Sequence, residues 1–95
     1  MTHPASIPGY DNVKEVAEAI RRLRYDALRD LLSYLAEGFQ EDSTEDMTRG
    51  RQKLSNNLCD LAIIIEQAEN KADDIWNVCQ PYVKNRQDEK DSAKS

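Results

Sequence analysis

Leu54, Leu58, Leu61, Ile65, Ala68, Ala72, Ile75, Cys79 and Tyr82 recur at alternating steps of four and three residues. Such steps put every member on one side of an α-helix, so the row predicts a long helix with an apolar seam of the coiled-coil kind. A helix of this kind packs against other helices. Three Gly, three Pro and 6% aromatic residues are also too few for a many-stranded β domain, which needs turns every 8–12 residues or so. The expected fold is all-α.

Residues 1–10 carry Pro4, Pro8 and Gly9 without an apolar period and read as an irregular arm. His3 sits in that arm with no metal ligand at a useful spacing. A helical domain then covers 11–84. Its first helix, 12–37, starts at Asn12 with Glu15 in the third position, the pattern of a capping box. Val13, Val16, Ala17, Ile20, Leu23, Ala27, Leu28, Leu31 and Leu35 mark its apolar face. Lys14, Glu18, Arg22 and Asp26 follow one another at steps of four with alternating sign, a ladder that supports the helix from its solvent side. Gly38 is expected to end the helix as the residue after its C-cap.

An acidic connection follows over 38–43, with Asp42 or Ser43 capping a second helix over 44–80 and Glu45 and Asp46 in its first turn. The acidic stretch lacks the central glycine and the ligand spacing of a calcium loop. Leu58, Cys59, Leu61, Ala62, Ile63, Ile64 and Ile65 make the centre of this second helix apolar nearly all round, and such a helix must be surrounded. Pro81 is expected to end it. Residues 85–95, charged and small, read as a disordered tail.

The architecture expected from these elements is a long antiparallel helical hairpin pairing into a dimeric four-helix bundle, since one neighbouring helix covers only one stripe. The alternative is a monomeric three-helix bundle with a turn near Asn70. No Gly or Pro lies between Glu69 and Asp73, which favours a continuous helix. The expected interface comprises Leu58, Leu61, Ile64, Ile65, Ala68, Ala72, Ile75, Trp76, Cys79 and Tyr82.

The function expected is that of a small self-associating helical protein-protein interaction module, an adaptor, inhibitor or assembly factor without catalysis. No nucleophile and base can be paired around one His, and no catalytic residue, metal ligand set or cofactor is implied. Two alternatives compete with it. Arg21, Arg22, Arg24, Arg49, Arg51 and Lys53 would together make a patch for an anionic partner, in a regulatory protein associated with nucleic acid. The formal charge of −5 works against this at long range. Paired carboxylates on antiparallel helices, such as Glu15 with Glu18 or Glu66 with Glu69, would hold a divalent metal in a nucleotide hydrolase. The expected partners are a second copy of the chain and a further protein. Two cysteines at no clustered spacing suggest a reducing compartment. The longest apolar run, Leu61 to Ile65, falls far short of the roughly 18 residues of a membrane span. A cytoplasmic protein with no membrane partner is expected.

Overall fold

A computed structural model describes the backbone of residues 3–92 and the side chains of residues 3–81. Among the described residues the fold is all-helical: α1 (Val13–Arg21), α2 (Tyr25–Thr48) and α3 (Gln52–Ser92). The substantial packing is between α2 and α3. They run antiparallel, because Ser43 meets Ser55 near the turn and Arg29 meets Asp73 far from it.

α1 begins as its sequence suggests. Asn12 is extended and its side-chain oxygen accepts from the Glu15 N–H at 2.9 Å. Glu15 Oε1 in turn accepts from the Asp11 N–H at 3.0 Å, so the reciprocal half of the capping box lands one residue early. The helix expected over 12–37 is nevertheless broken. After Arg22, the C-cap of α1, the chain straightens, and Arg24 with φ −59° and ψ 146° becomes the N-cap of α2. Neither Gly nor Pro causes the break. Two groupings accompany it: the Arg24 guanidinium binds both oxygens of Asp26, at 2.7 and 2.9 Å, and lies 5.4 Å from the Trp76 ring of α3. The Asp26 carboxylate also accepts from the Ala27 N–H at 2.8 Å, close to the positive end of α2. The ladder from Lys14 to Asp26 is thus cut, and Asp26 pairs with Arg24.

Gly38 does not end a helix, nor is 38–43 a connection. Gly38 lies within α2, and the positive-φ glycines are Gly9 and Gly50. A mid-helix glycine costs roughly 1 kcal/mol relative to alanine. Continuing the helix brings Phe39, Ser43 and Asp46 onto the row begun by Arg29, Leu32 and Ala36, and packing along that row outweighs the local cost. Ser43 is therefore no cap. Thr44 also sits mid-helix, its hydroxyl donating back to the Gln40 carbonyl at 3.2 Å.

The turn falls instead at Arg49, Gly50 and Arg51. Gly50, at φ +79°, is the left-handed residue after the Arg49 C-cap. The Gly50 N–H donates to the Met47 carbonyl at 3.0 Å and the Arg51 N–H to the Asp46 carbonyl at 2.8 Å, the two bonds of a Schellman motif. The Arg51 carbonyl then accepts from the Ser55 N–H at 2.9 Å, so the residue that closes α2 also opens α3. Asp46 is buried, and its carboxylate accepts from Arg51 Nη1 at 3.2 Å.

α3 runs without interruption past Asn70, as the missing breakers suggest, and past Pro81, where its end was expected. Asn77, Gln80 and Pro81 are all exposed, so water can serve the carbonyl that the proline ring leaves without a donor. Residues 85–92 of the tail expected to be disordered over 85–95 instead continue α3, and 93–95 lie outside the described residues.

Candidate interaction face

The seam between α2 and α3 alternates large apolar side chains with small and polar ones. On α2 the inward row is Arg29, Leu32, Ala36, Phe39, Ser43 and Asp46. On α3 it is Ser55, Leu58, Ala62, Ile65, Glu69, Ala72, Trp76 and Cys79. All are buried or half-buried. Among the described residues the fully buried apolar side chains are Ala36, Ala62 and Ala72, and the buried polar ones Ser43, Asp46 and Ser55. Small residues of this sort let two helices approach closely. Near the turn the Ser43 and Ser55 hydroxyls each donate to the other residue's carbonyl at 2.8 Å.

One position before each inward residue stands a second row. On α3 it reads Leu54, Asn57, Leu61, Ile64, Ala68, Lys71, Ile75 and Val78, and on α2 Leu28, Leu31, Leu35, Gly38, Asp42 and Glu45, apolar in the half away from the turn. In an antiparallel pair, one step back along the sequence turns the two helices in opposite senses when both are viewed from the same end. Both outer rows therefore emerge on the same side of the hairpin and form one broad apolar face. Ile64 is 60% exposed and Val78 71%, with Leu54, Leu61 and Ile75 between 37% and 41%. α1 covers this face little, for none of its side chains is buried and Val13 is 62% exposed.

Leu58, Ile65, Ala72, Trp76 and Cys79, expected at an interface between chains, thus pack inside the hairpin. Leu61, Ile64, Ala68 and Ile75 lie on the outer face, and the Tyr82 side chain lies outside the described residues. Trp76 does not overhang its neighbour. Moving the turn from 38–43 to 49–51 brings the start of α2 level with it, where Arg24 covers it. Ile63 emerges away from both rows, 44% exposed.

The six basic residues divide into two groups. Arg21, Arg22 and Arg24 lie just before α2, and Arg49, Arg51 and Lys53 just after it, so the 24 residues of α2, about 36 Å of helix, separate them. Arg24 is held by Asp26, Arg49 by Glu45 at 2.8 Å and Arg51 by Asp46. Hydrogen bonding from Arg24 pulls the Asp26 carboxyl below its ordinary pKa, and the same pair raises that of Arg24. Bonds to Asp73 and then Asp30 raise Arg29 likewise. Among the described residues no three His, Cys, Asp or Glu side chains are grouped to hold a metal ion, and no helix is long and apolar enough to cross a membrane.

One feature has no signal in the sequence. At the turn end of the outer face, His3 joins Phe39, Asp42, Glu45, Asp46, Arg49, Leu54 and Leu58 around an open cleft of about 310 Å³. On its rim Glu45 and Asp46 are already paired with Arg49 and Arg51. The arm's return to the turn, which puts His3 there, is tertiary and leaves no local pattern. No protein family, curated protein or solved structure matches the chain.

Proposed function

We propose that this chain is a non-catalytic helical interaction module, an adaptor, inhibitor or assembly factor, that works by presenting the outer face of the α2–α3 hairpin to another helical surface. One observation carries the reading: among the described residues the fully buried apolar side chains are alanines, while Leu54, Leu61, Ile64, Ile75 and Val78 line a single exposed side. Scattered exposed leucines are ordinary, but a contiguous apolar side on a small protein marks a docking surface. Covering these five side chains would add on the order of 1 kcal/mol each, a large increment for a domain whose total stability is some 5–15 kcal/mol. The division of the basic residues between two ends, three of them already ion-paired, favours this reading over a nucleic-acid surface.

The test is Ile64→Asp combined with Val78→Asp, compared with the unaltered chain by light-scattering mass and by binding of an apolar fluorescent dye. The unaltered chain should either associate or, if monomeric, bind the dye, and the double variant should lose whichever property is seen. A strict monomer that binds no dye, with the double variant equally stable, would sink the proposal.

A further inference from the structure

We infer that the occupant of the outer face is a second copy of this chain, laid antiparallel along α3 with the two-fold axis crossing between Glu69 and Asn70. The inference rests on reading the face as an interaction surface and names what covers it. The first argument is need. Among the described residues the fully buried apolar side chains are three alanines, while Leu32, Phe39, Leu58, Ile65 and Trp76 are only half-buried, so the hairpin gains most from a cover that is present whenever the chain is. A second copy meets that condition.

The second argument is the pattern of the face. Leu54, Leu61, Ala68 and Ile75 form one heptad row, and Asn57, Ile64, Lys71 and Val78 the other. Antiparallel helices pair one such row against the other in layers. With the axis between Glu69 and Asn70, Leu61 meets Val78 of the second copy, Ile64 meets Ile75, and Ala68 meets Lys71. Each layer recurs on the far side of the axis. Large apolar groups face each other in the outer four layers, and the smallest member of the face opposes the longest. Lys71 can then lie along Ala68 with its ammonium at the rim, near Asp74, which it already contacts at 3.6 Å.

Charge selects the direction. In a parallel pair, Lys71 would oppose Lys71 across the seam, and a like-charge pair there disfavours that arrangement. In the antiparallel pair, Gln67 lies beside Asp74 and the two copies of Asp60 stand far apart.

Solution mass and spin-label distances test the inference together. The unaltered chain should have twice the mass of one chain, and Ile64→Asp should reduce it to one. For distances, Cys59→Ala and Cys79→Ala remove the native thiols, and a single label is placed at Lys53→Cys, Asp60→Cys or Gln67→Cys, one row beside the face. Antiparallel pairing at this register gives axial separations of about 50, 28 and 8 Å respectively, at 1.5 Å of rise per residue. Short separations at all three positions would overturn the antiparallel arrangement. A monomeric mass at every concentration would overturn the second copy as occupant. If that monomer still binds an apolar dye that Ile64→Asp abolishes, the interaction face stands with a different occupant. If it binds none, both readings fall.

Discussion

Ser43 and Ser55 close the hairpin by exchange: each hydroxyl donates to the other residue's carbonyl, both at 2.8 Å, with the two oxygens 3.0 Å apart. Both residues are buried, so water does not compete. Ser43→Ala should cost about 1 kcal/mol, the ordinary net value of a hydrogen bond. Ser43→Leu, which puts a large side chain where the two helices are joined by these bonds, should cost more, about 1–3 kcal/mol. Urea unfolding of the two variants checks the order, and a leucine variant as stable as the alanine one would show that the helices are not held close here.

Two glycines should respond to alanine with opposite signs. Gly38 lies inside α2 with open space where a Cβ would go, so Gly38→Ala should stabilise by about 0.5–1 kcal/mol. Gly50 has open space as well, but its φ of +79° is costly for a side-chain-bearing residue, and Gly50→Ala should destabilise by about 1 kcal/mol. Thermal unfolding resolves this, since 1 kcal/mol moves the Tm of a domain this size by roughly 4–8 °C.

Acid should release Arg24 from Trp76 late. The Asp26 carboxyl is held below its ordinary value by Arg24, so the stabilisation it provides is complete above the unfolded aspartate value of about 3.9. It is lost as pH falls through the lower folded value. Fluorescence of Trp76, the only tryptophan, should therefore change below about pH 3.9, and Asp26→Asn should abolish that step. A transition centred above that pH would contradict the pairing.

Asp46 should be sensitive to loss of charge. It is buried and its carboxylate is held by Arg51, so Asp46→Ala should cost about 1–3 kcal/mol, with Asp46→Asn milder because it keeps an acceptor. Arg29→Ala removes a more exposed pair with Asp73, where the ionic part is worth under about 1 kcal/mol. Chemical unfolding of the three variants ranks them.

Helical class, the Asn12 cap and the continuity of α3 through Asn70 were legible because each rests on local pattern. The turn was misplaced because Gly38 and Gly50 look alike in sequence, and what separates them lies in another helix: continuing past Gly38 brings Ser43 to Ser55. The seam was half legible: Leu58, Ile65, Ala72 and Cys79 face α2 as their spacing implies, while Leu54, Leu61, Ala68 and Ile75 give way to Ser55, Ala62, Glu69 and Trp76. Ser43 and Asp46 read as the start of a helix, and Leu54 and Leu61 as apolar and inward. Reciprocal hydrogen bonds and the Arg51 ion pair reverse that order, and neither is visible until two helices are side by side. The cleft around His3 depends on where the arm returns, which no periodicity encodes.

The turn at Arg49, Gly50 and Arg51 contains no spare residue, since Arg51 serves both helices. It therefore acts as a phase setting. One residue inserted after Arg51 would turn α3 by about 100° and hand every inward slot to its predecessor: Leu54 would take the place of Ser55, Leu61 that of Ala62, Ile75 that of Trp76. In the same step Leu58, Ile65 and Trp76 would leave the seam and Lys71 would enter it at the place of Ala72, so one apolar row would be exchanged for another and a charge carried inward. Three residues of loop thus decide which of its apolar rows this sequence keeps inside and which it shows.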